Sequence, residues 1–212
     1  GASLRRQHED DVSIAHLIRH RGKESITLNL KHPEAKRIFQ EIVPHVDVVV
    51  ENFSRGTSER LGVGYSAARA VKPDIIYCSI SGFGQEGTPG GGKAMDNIIQ
   101  ALSGMMMTSG MPDEPPARIA VPFGDLNTPL FAVIGILAAL FHHKNTGEGQ
   151  YIDVSMLGVL TSMLSTEPFD VLERLGVPMR TGPTVPRLAP FGVYPASDGY
   201  VVICCAGERS FE

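Results

Sequence analysis

Cysteine is scarce: Cys78, Cys204 and Cys205 are the only three in a chain of 212 residues. An odd number without zinc-ligand spacing excludes a disulfide framework, and a reduced, cytoplasmic setting is the default expectation. Charge of one sign is also sparse. The formal net charge is -4 and no dense Lys/Arg patch is present, so nucleic acid is not an expected partner. Long hydrophobic runs are missing too. The most apolar stretch, PLFAVIGILAALFHH (129–143), holds about 13 apolar residues against the roughly 20 that a bilayer span needs. It reads as a buried core helix, and no membrane is expected as a partner. The start lacks a signal-peptide pattern, and there is no internal repeat or low-complexity segment. Hydrophobic residues make up 42% and charged ones 20%, which supports a sizeable core rather than disorder. The opening GASLRRQHEDDVSIAHLIRH is charged and irregular, and YVVICCAGERSFE stops just after an apparent strand. Both ends suggest a piece of a longer protein.

The present segments alternate. SITLNL (25–30) is β-rich, HPEAKRIFQEIVPHV is helical with Pro33 near its first turn, and VDVVVENF carries the continuous valines of a strand covered on both faces. TSERLGVGYSAARAVKP holds a capped turn and a short helix, and DIIYCSISGFG (74–84) is a third strand. Strand, helix, strand, helix, strand is the pattern of a parallel α/β sheet. AMDNIIQALSGMMM returns to helical spacing, its triple Met reading as core. After the Pro-rich TSGMPDEPPARIAVPFGD, the apolar helix is expected from Thr128, with Asn127 or Thr128 as N-cap and Pro129 at its first position. GQYIDVSM is another strand and LGVLTSMLSTEPFDVLERLG another helix. Residues 1–175 read as one large domain, 176–190 as a Pro/Gly-rich linker, and FGVYPASDGYVVICC as a hairpin opening a smaller domain, 191–212. Ligands of open parallel sheets gather at the carboxyl ends of strands, which directs attention to Asn52, Phe53, Arg55 and Gly82 to Gln85.

Few residues promise chemistry. GTPGGGKA (87–94) nearly spells a phosphate-binding P-loop, but Ala94 stands where the magnesium-binding Ser or Thr belongs. A surface loop with an incidental Lys93 is the plain alternative. Lys93 and Asp96, three apart at a helix start, would share one face. Asp125, in VPFGDLNTPL, meets the positive end of the most apolar helix. There it could serve as a nucleophile or base, or simply cap the helix. His142 and His143 suit the far end of that helix, and the cysteines read as core or strand residues.

ITLNLKHPEAKRIF, VDVVVENFSRGTSERLGVGY, KPDIIYCSISGFGQEG, DNIIQALSGMM, GDLNTPLFAVIGILAAL and TGEGQYIDVSML together resemble the family III CoA-transferases, the CaiB–BaiF group, over about residues 20–212. The resemblance implies a Rossmann-like large domain whose first strand lies before Gly1, a smaller α+β domain, and interlocked homodimers. It implies that Asp125 is the nucleophile, forming an aspartyl-CoA intermediate between an acyl-CoA and a small carboxylic acid, such as the dicarboxylates succinate or malate. No metal or permanently bound cofactor is implied; coenzyme A is substrate. Leu28, Leu30 and Lys31 are similar to positions bordering the adenine. Asn52, Phe53, Arg60 and Leu61 match positions touching nucleotide and pantetheine, with Lys31 and Arg60 facing phosphates. For Phe53 and Leu61 ordinary packing remains the alternative.

The same group includes acyl-CoA racemases, which pair the aspartate with a histidine. Aligned on Asp96, that position here is Met95, which cannot move a proton. Lys93 and Asp96 match a lysine and a glutamate of formyl-CoA transferase, while Met95 replaces its tyrosine. A transferase is therefore expected, with a racemase or a non-catalytic CoA-binding member as alternatives. The glycines of GTPGGGKA would form a loop bringing Lys93 and Asp96 toward Asp125.

Overall fold

The computed structural model describes residues 13–87, 94–185 and 188–207. The chain divides into two compact units, Gly1–Ala35 and Lys36–Glu212. In the first, α1 (Ile14–Arg19) is capped by Ser13, whose hydroxyl accepts the His16 N–H at 3.2 Å. The run at 25–30 is a correction to the sequence reading: it forms no strand. Its residues favour extended backbone, but a strand exists only where a neighbour completes the hydrogen-bond ladder, and among the described residues none does.

The second unit is built on three parallel strands in the order β1 (Val48–Glu51), β2 (Ile76–Ser81), β3 (Tyr151–Ser155). The expected parallel α/β sheet is present, without the run at 25–30 and with the strand expected in GQYIDVSM as β3, paired with β2. β2 lies in the middle and is buried along nearly its whole length, which is why IIYCSI reads as a continuous apolar run rather than an alternating one. Successive side chains go to opposite faces. Tyr77 joins Val43, Ala68 and Ile75 on one side, with Phe39 and Val49 packed against them. Cys78 joins Ala132, Val154 and Val159 on the other. Burial pushes the Cys78 thiol up to about 11, so it stays protonated and inert, as a core cysteine should. Tyr77 donates its hydroxyl to the Val63 carbonyl at 2.9 Å.

The faces are covered by helices. α2 (Ala35–Ile42), α3 (Thr57–Arg60) and α4 (Tyr65–Val71) flank β1 in sequence; α5 (Asp96–Leu102) and α6 (Phe123–Thr146) connect β2 to β3. The segment after β3, read as one helix, is two: α7 (Met156–Leu164) and α8 (Phe169–Arg174). Pro168, with no N–H to offer, stands at the break. Of the triple Met, Met105 is in the core with Ile99 and Leu160, whereas Met107 is exposed. The hairpin appears as expected: β4 (Phe191–Ala196) pairs antiparallel with β5 (Gly199–Cys204), leaving Ser197 and Asp198 as a two-residue turn.

α6 departs most from expectation. It begins at Phe123, so Pro129 lies inside it and neither Asn127 nor Thr128 is its N-cap. Their side chains instead bond back to the carbonyls of Phe123 and Gly124 at 2.7 Å. Nor is the helix buried throughout. Gly124, Thr128, Ala132 and Ala139 face the core, while Leu130, Ile134, Leu137 and Phe141, spaced along the opposite side, are at least 60% exposed. At 24 residues it is long and apolar enough to cross a bilayer by length and composition, and 22% of its apolar window is buried. Gly147 closes it in the left-handed conformation, donating to the His143 carbonyl at 2.7 Å.

At that end His143 Nε2 lies 3.0 Å from the Asp74 carboxylate. The hydrogen bond from His143 holds Asp74 below the ordinary carboxylate range, against a smaller opposing effect of burial. A depressed folded-state value means stability present above the unfolded value of about 3.9 and lost as pH falls through the folded one. Both side chains are well exposed, so the contribution is small. Asp74→Asn should lower Tm slightly at neutral pH and not at all near pH 2. An equal loss at both pH values would show that the pair is not what matters there.

Candidate active site

β1 ends on Glu51, whose carboxylate is buried. It accepts the Phe53 N–H at 2.6 Å and the hydroxyls of Ser79 at 2.6 Å and Ser58 at 3.4 Å. The charge is thus surrounded by donors, the condition under which a buried carboxylate is tolerated. It folds the chain back on itself at Asn52 and Phe53, which stay exposed. The loop after β2 is tied to this turn. Gln85 accepts the Gly56 N–H at 3.1 Å, Arg55 donates to the Gly87 carbonyl at 2.6 Å, and the Gln85 N–H goes to Asp153 at 2.6 Å. Gly84, at φ +86, makes the bend and lies against that Asp153 carboxylate, where an added Cβ would sit 3.3 Å away.

The CoA-binding positions read from the sequence separate into two groups. Asn52, Phe53, Arg60 and Leu61 lie together on the connection from β1 through α3; Arg60 is exposed and donates to the Thr57 hydroxyl at 2.9 Å. Leu28 and Leu30, half-buried, and exposed Lys31 belong to the first unit, Gly1–Ala35. Lys93 lies outside the described residues, as does most of GTPGGGKA.

Asp96 and Asp125 do come together. Both line a cavity of about 540 Å³, with Met95, Arg118 and Pro122. Asp125 is exposed in the first turn of α6, where the helix dipole favours a negative charge. It is not the cap of that helix. Asp96 is: its Oδ1 accepts the N–H of Gly124 at 2.7 Å and of Asp125 at 3.2 Å. The cap comes from 28 positions upstream, so no local sequence signal marks the true start of the helix. Met95 is 67% exposed on the cavity wall and has no proton to transfer.

The other oxygen of Asp96 accepts from Gln100 Nε2 at 2.7 Å. Gln100 is fully buried. Its amide oxygen accepts the Ile119 N–H at 2.9 Å and its nitrogen also donates to the Val121 carbonyl at 3.3 Å. One buried amide therefore fastens the irregular segment 119–121 to the residue that caps α6. The sequence reading missed both Gln100 and Arg118. An Asp followed by Gln four residues later inside IIQAL was a detectable helical pair; Arg118, in a Pro-rich connection, carried no periodic signal.

The cavity adjoins the end of β2. The Gly82 carbonyl accepts the Leu157 N–H at 3.0 Å, and a Cβ on Gly82 would collide with Ala94, which leads into α5. Gly82→Ala should therefore cost about 1–3 kcal/mol by overpacking. Unchanged melting would show that residue 94 yields freely. Among the described residues no group of three His, Cys, Asp or Glu side chains is placed to hold a metal.

Comparison with known proteins agrees along the chain. The model of CoA-transferase family III matches residues 2–212. Acetyl-CoA:oxalate CoA-transferase of Acetobacter aceti is 40% identical over 203 residues, covering 95% of this chain and 52% of that protein. Succinate–glutarate CoA-transferase of Agrobacterium fabrum is 37% identical over 191 residues, covering 90% and 48%. The crystal structure of a CAIB/BAIF family protein from Brucella suis superposes with a TM-score of 0.82 at 35% identity, covering 96% of this chain and 54% of that one. The chain spans about half the length of these relatives.

Proposed function

The chain belongs to CoA-transferase family III, and on that premise we propose that the whole protein moves CoA from an acyl-CoA thioester to a small carboxylic acid, with Asp125 as the nucleophile. One observation carries the assignment. Capping of α6 is done by Asp96, so the Asp125 carboxylate is not needed for that task and opens on the cavity.

The steps follow from carboxylate chemistry. Asp125 attacks the thioester carbonyl; the tetrahedral oxyanion collapses, expelling CoA thiolate and leaving a mixed anhydride. The thiolate attacks the aspartyl carbonyl of the anhydride, giving an aspartyl-CoA thioester and the free acid of the donor. The acceptor carboxylate attacks that thioester, again expelling thiolate, and the thiolate takes the acceptor's acyl carbon. Asp125 returns as a carboxylate. Every proton and electron is accounted for without an oxidant. Asp96 acts as a positioning residue, setting the backbone that carries Asp125. Lys93 would support the same site from the Gly-rich loop.

In the second unit, Asn52, Phe53, Arg60 and Leu61 would contact coenzyme A, with Arg60 serving a phosphate; for Leu28, Leu30 and Lys31, in the first unit, the contact with coenzyme A rests on the family resemblance alone. The protein would work in the cytoplasm as a homodimer, with 1–175 as the large domain, 176–190 as linker and 191–212 opening the small domain. The exposed apolar side of α6 supports a protein-covered surface there. A racemase reading is disfavoured because Met95, which has no proton to give, stands at the position of the racemases' histidine and lines the same cavity as Asp125.

Exchange separates the two. The whole protein, given acyl-CoA and the isotopically labelled acid of the same acyl group, should move label into the thioester and should not wash deuterium from solvent into the acyl α-position. Deuterium incorporation without acid exchange would favour the racemase.

A further inference from the structure

A carboxylate acceptor entering the cavity meets two carboxylates on its wall, Asp96 and Asp125. Like charges at close range repel, and more strongly where water is partly excluded. Among the described residues lining the cavity, Arg118 is the one cation. Its placement is built rather than incidental. Nη1 is anchored on the carbonyls of Ile119 at 3.3 Å and Ala120 at 2.7 Å. Nε and Nη2 have no partner among the described residues, and the side chain is exposed. Immediately after it, the backbone is gripped at Ile119 and Val121 by the buried Gln100 amide, which also binds Asp96. Asp96 in turn holds the backbone of Asp125. A continuous set of hydrogen bonds, half-buried around Gln100 and exposed at Asp125, thus links the backbone beside the guanidinium to the backbone of the nucleophile. Such networks hold two elements in register, which packing of a loose Pro-rich connection would not do.

Resting on the transferase reading above, we propose that Arg118 binds the second carboxylate of a dicarboxylic acid while the first reacts at Asp125. The guanidinium fork pairs with a carboxylate through two parallel N–H donors, and the pair offsets the repulsion from Asp96 and Asp125. A monocarboxylic acid of the same length has nothing to place there. The donor's acyl group occupies the same space in the first half-reaction, so an acyl-CoA with a free terminal carboxylate is favoured as donor too.

The experiment compares succinate with butyrate on the whole protein, in two readouts: CoA transfer from succinyl-CoA or acetyl-CoA, and direct binding by calorimetry. Wild-type protein should favour succinate by about 10- to 100-fold, the size of one hydrogen-bonded charge pair. Arg118→Gln, which leaves the bonds from Gln100 to the Ile119 and Val121 backbone untouched, should bring the ratio close to one; Arg118→Lys, keeping charge but not the fork, should fall between. Transfer that is as fast with butyrate as with succinate, or a succinate preference that survives Arg118→Gln, would overturn the assignment while leaving the transferase reading intact. If neither acid accepts CoA, that reading fails, and calorimetry still decides: tighter succinate binding lost in Arg118→Gln upholds Arg118 as a dicarboxylate ligand, and equal or absent binding rejects it.

Discussion

Asp125→Asn should abolish CoA transfer, lowering kcat/KM by at least about 10⁴-fold, the scale on which removing a covalent nucleophile acts. An amide of the same shape keeps the side chain's volume but cannot attack a thioester. Folding should not suffer, because the first turn of α6 is capped by Asp96 through the backbone N–H groups of Gly124 and Asp125. The two readouts must therefore part: melting temperature preserved, turnover gone. If instead Asp125→Asn unfolded the protein and a refolded fraction kept its turnover, Asp125 would be a structural residue and the cavity's chemistry would have to be sought elsewhere.

Asp96→Ala should do the opposite and damage both. It removes the N-cap of a 24-residue helix, worth about 0.5–2 kcal/mol. It also strands a donor of the fully buried Gln100, which costs about 1–3 kcal/mol more. A loss of about 2–4 kcal/mol should appear in urea unfolding. Turnover should fall about 100-fold, as expected when a reacting group is shifted by roughly an ångström. Asp96→Asn separates positioning from proton transfer. Its amide oxygen can still accept from Gly124, while its amide nitrogen then faces the Gln100 donor, so kcat should recover to within about tenfold of wild type, the residual loss coming from that donor–donor contact and the uncharged cap. If Asp96→Asn were as inactive as Asp125→Asn, Asp96 would have to take part in the reaction itself.

The parts of the fold that were legible in the sequence are those whose signal is local. β1 and β2 read as strands because Val48 to Val50 and Ile75 to Cys78 are continuous apolar runs; β2 is covered on both faces, whereas β1, against expectation, is not, since Val50 is 53% exposed. The β4–β5 hairpin read as one because Ser197 and Asp198 make a short polar turn between apolar runs. What failed depended on partners distant in sequence. Residues 25–30 had strand composition but no ladder neighbour among the described residues. The start of α6 was misplaced because its cap is supplied by Asp96 through space. Pro129, expected at the first position, lies inside the helix, where it removes the N–H that would have met the Asp125 carbonyl. The aspartates of the site were legible because GD before an apolar helix and a carboxylate at the start of DNIIQAL are motif positions. Gln100 and Arg118 were not, since their meaning comes from one buried amide joining a helix to an irregular segment.

The central claim is that Asp125 carries CoA during turnover, and intact-mass measurement tests it most directly. The whole protein, mixed with acyl-CoA without acceptor, should gain the mass of CoA less water. Hydroxylamine should convert that adduct to a hydroxamate localised to Asp125, and Asp125→Asn protein should show neither. Efficient CoA transfer with no adduct on Asp125, or with an adduct at another residue, would contradict the account.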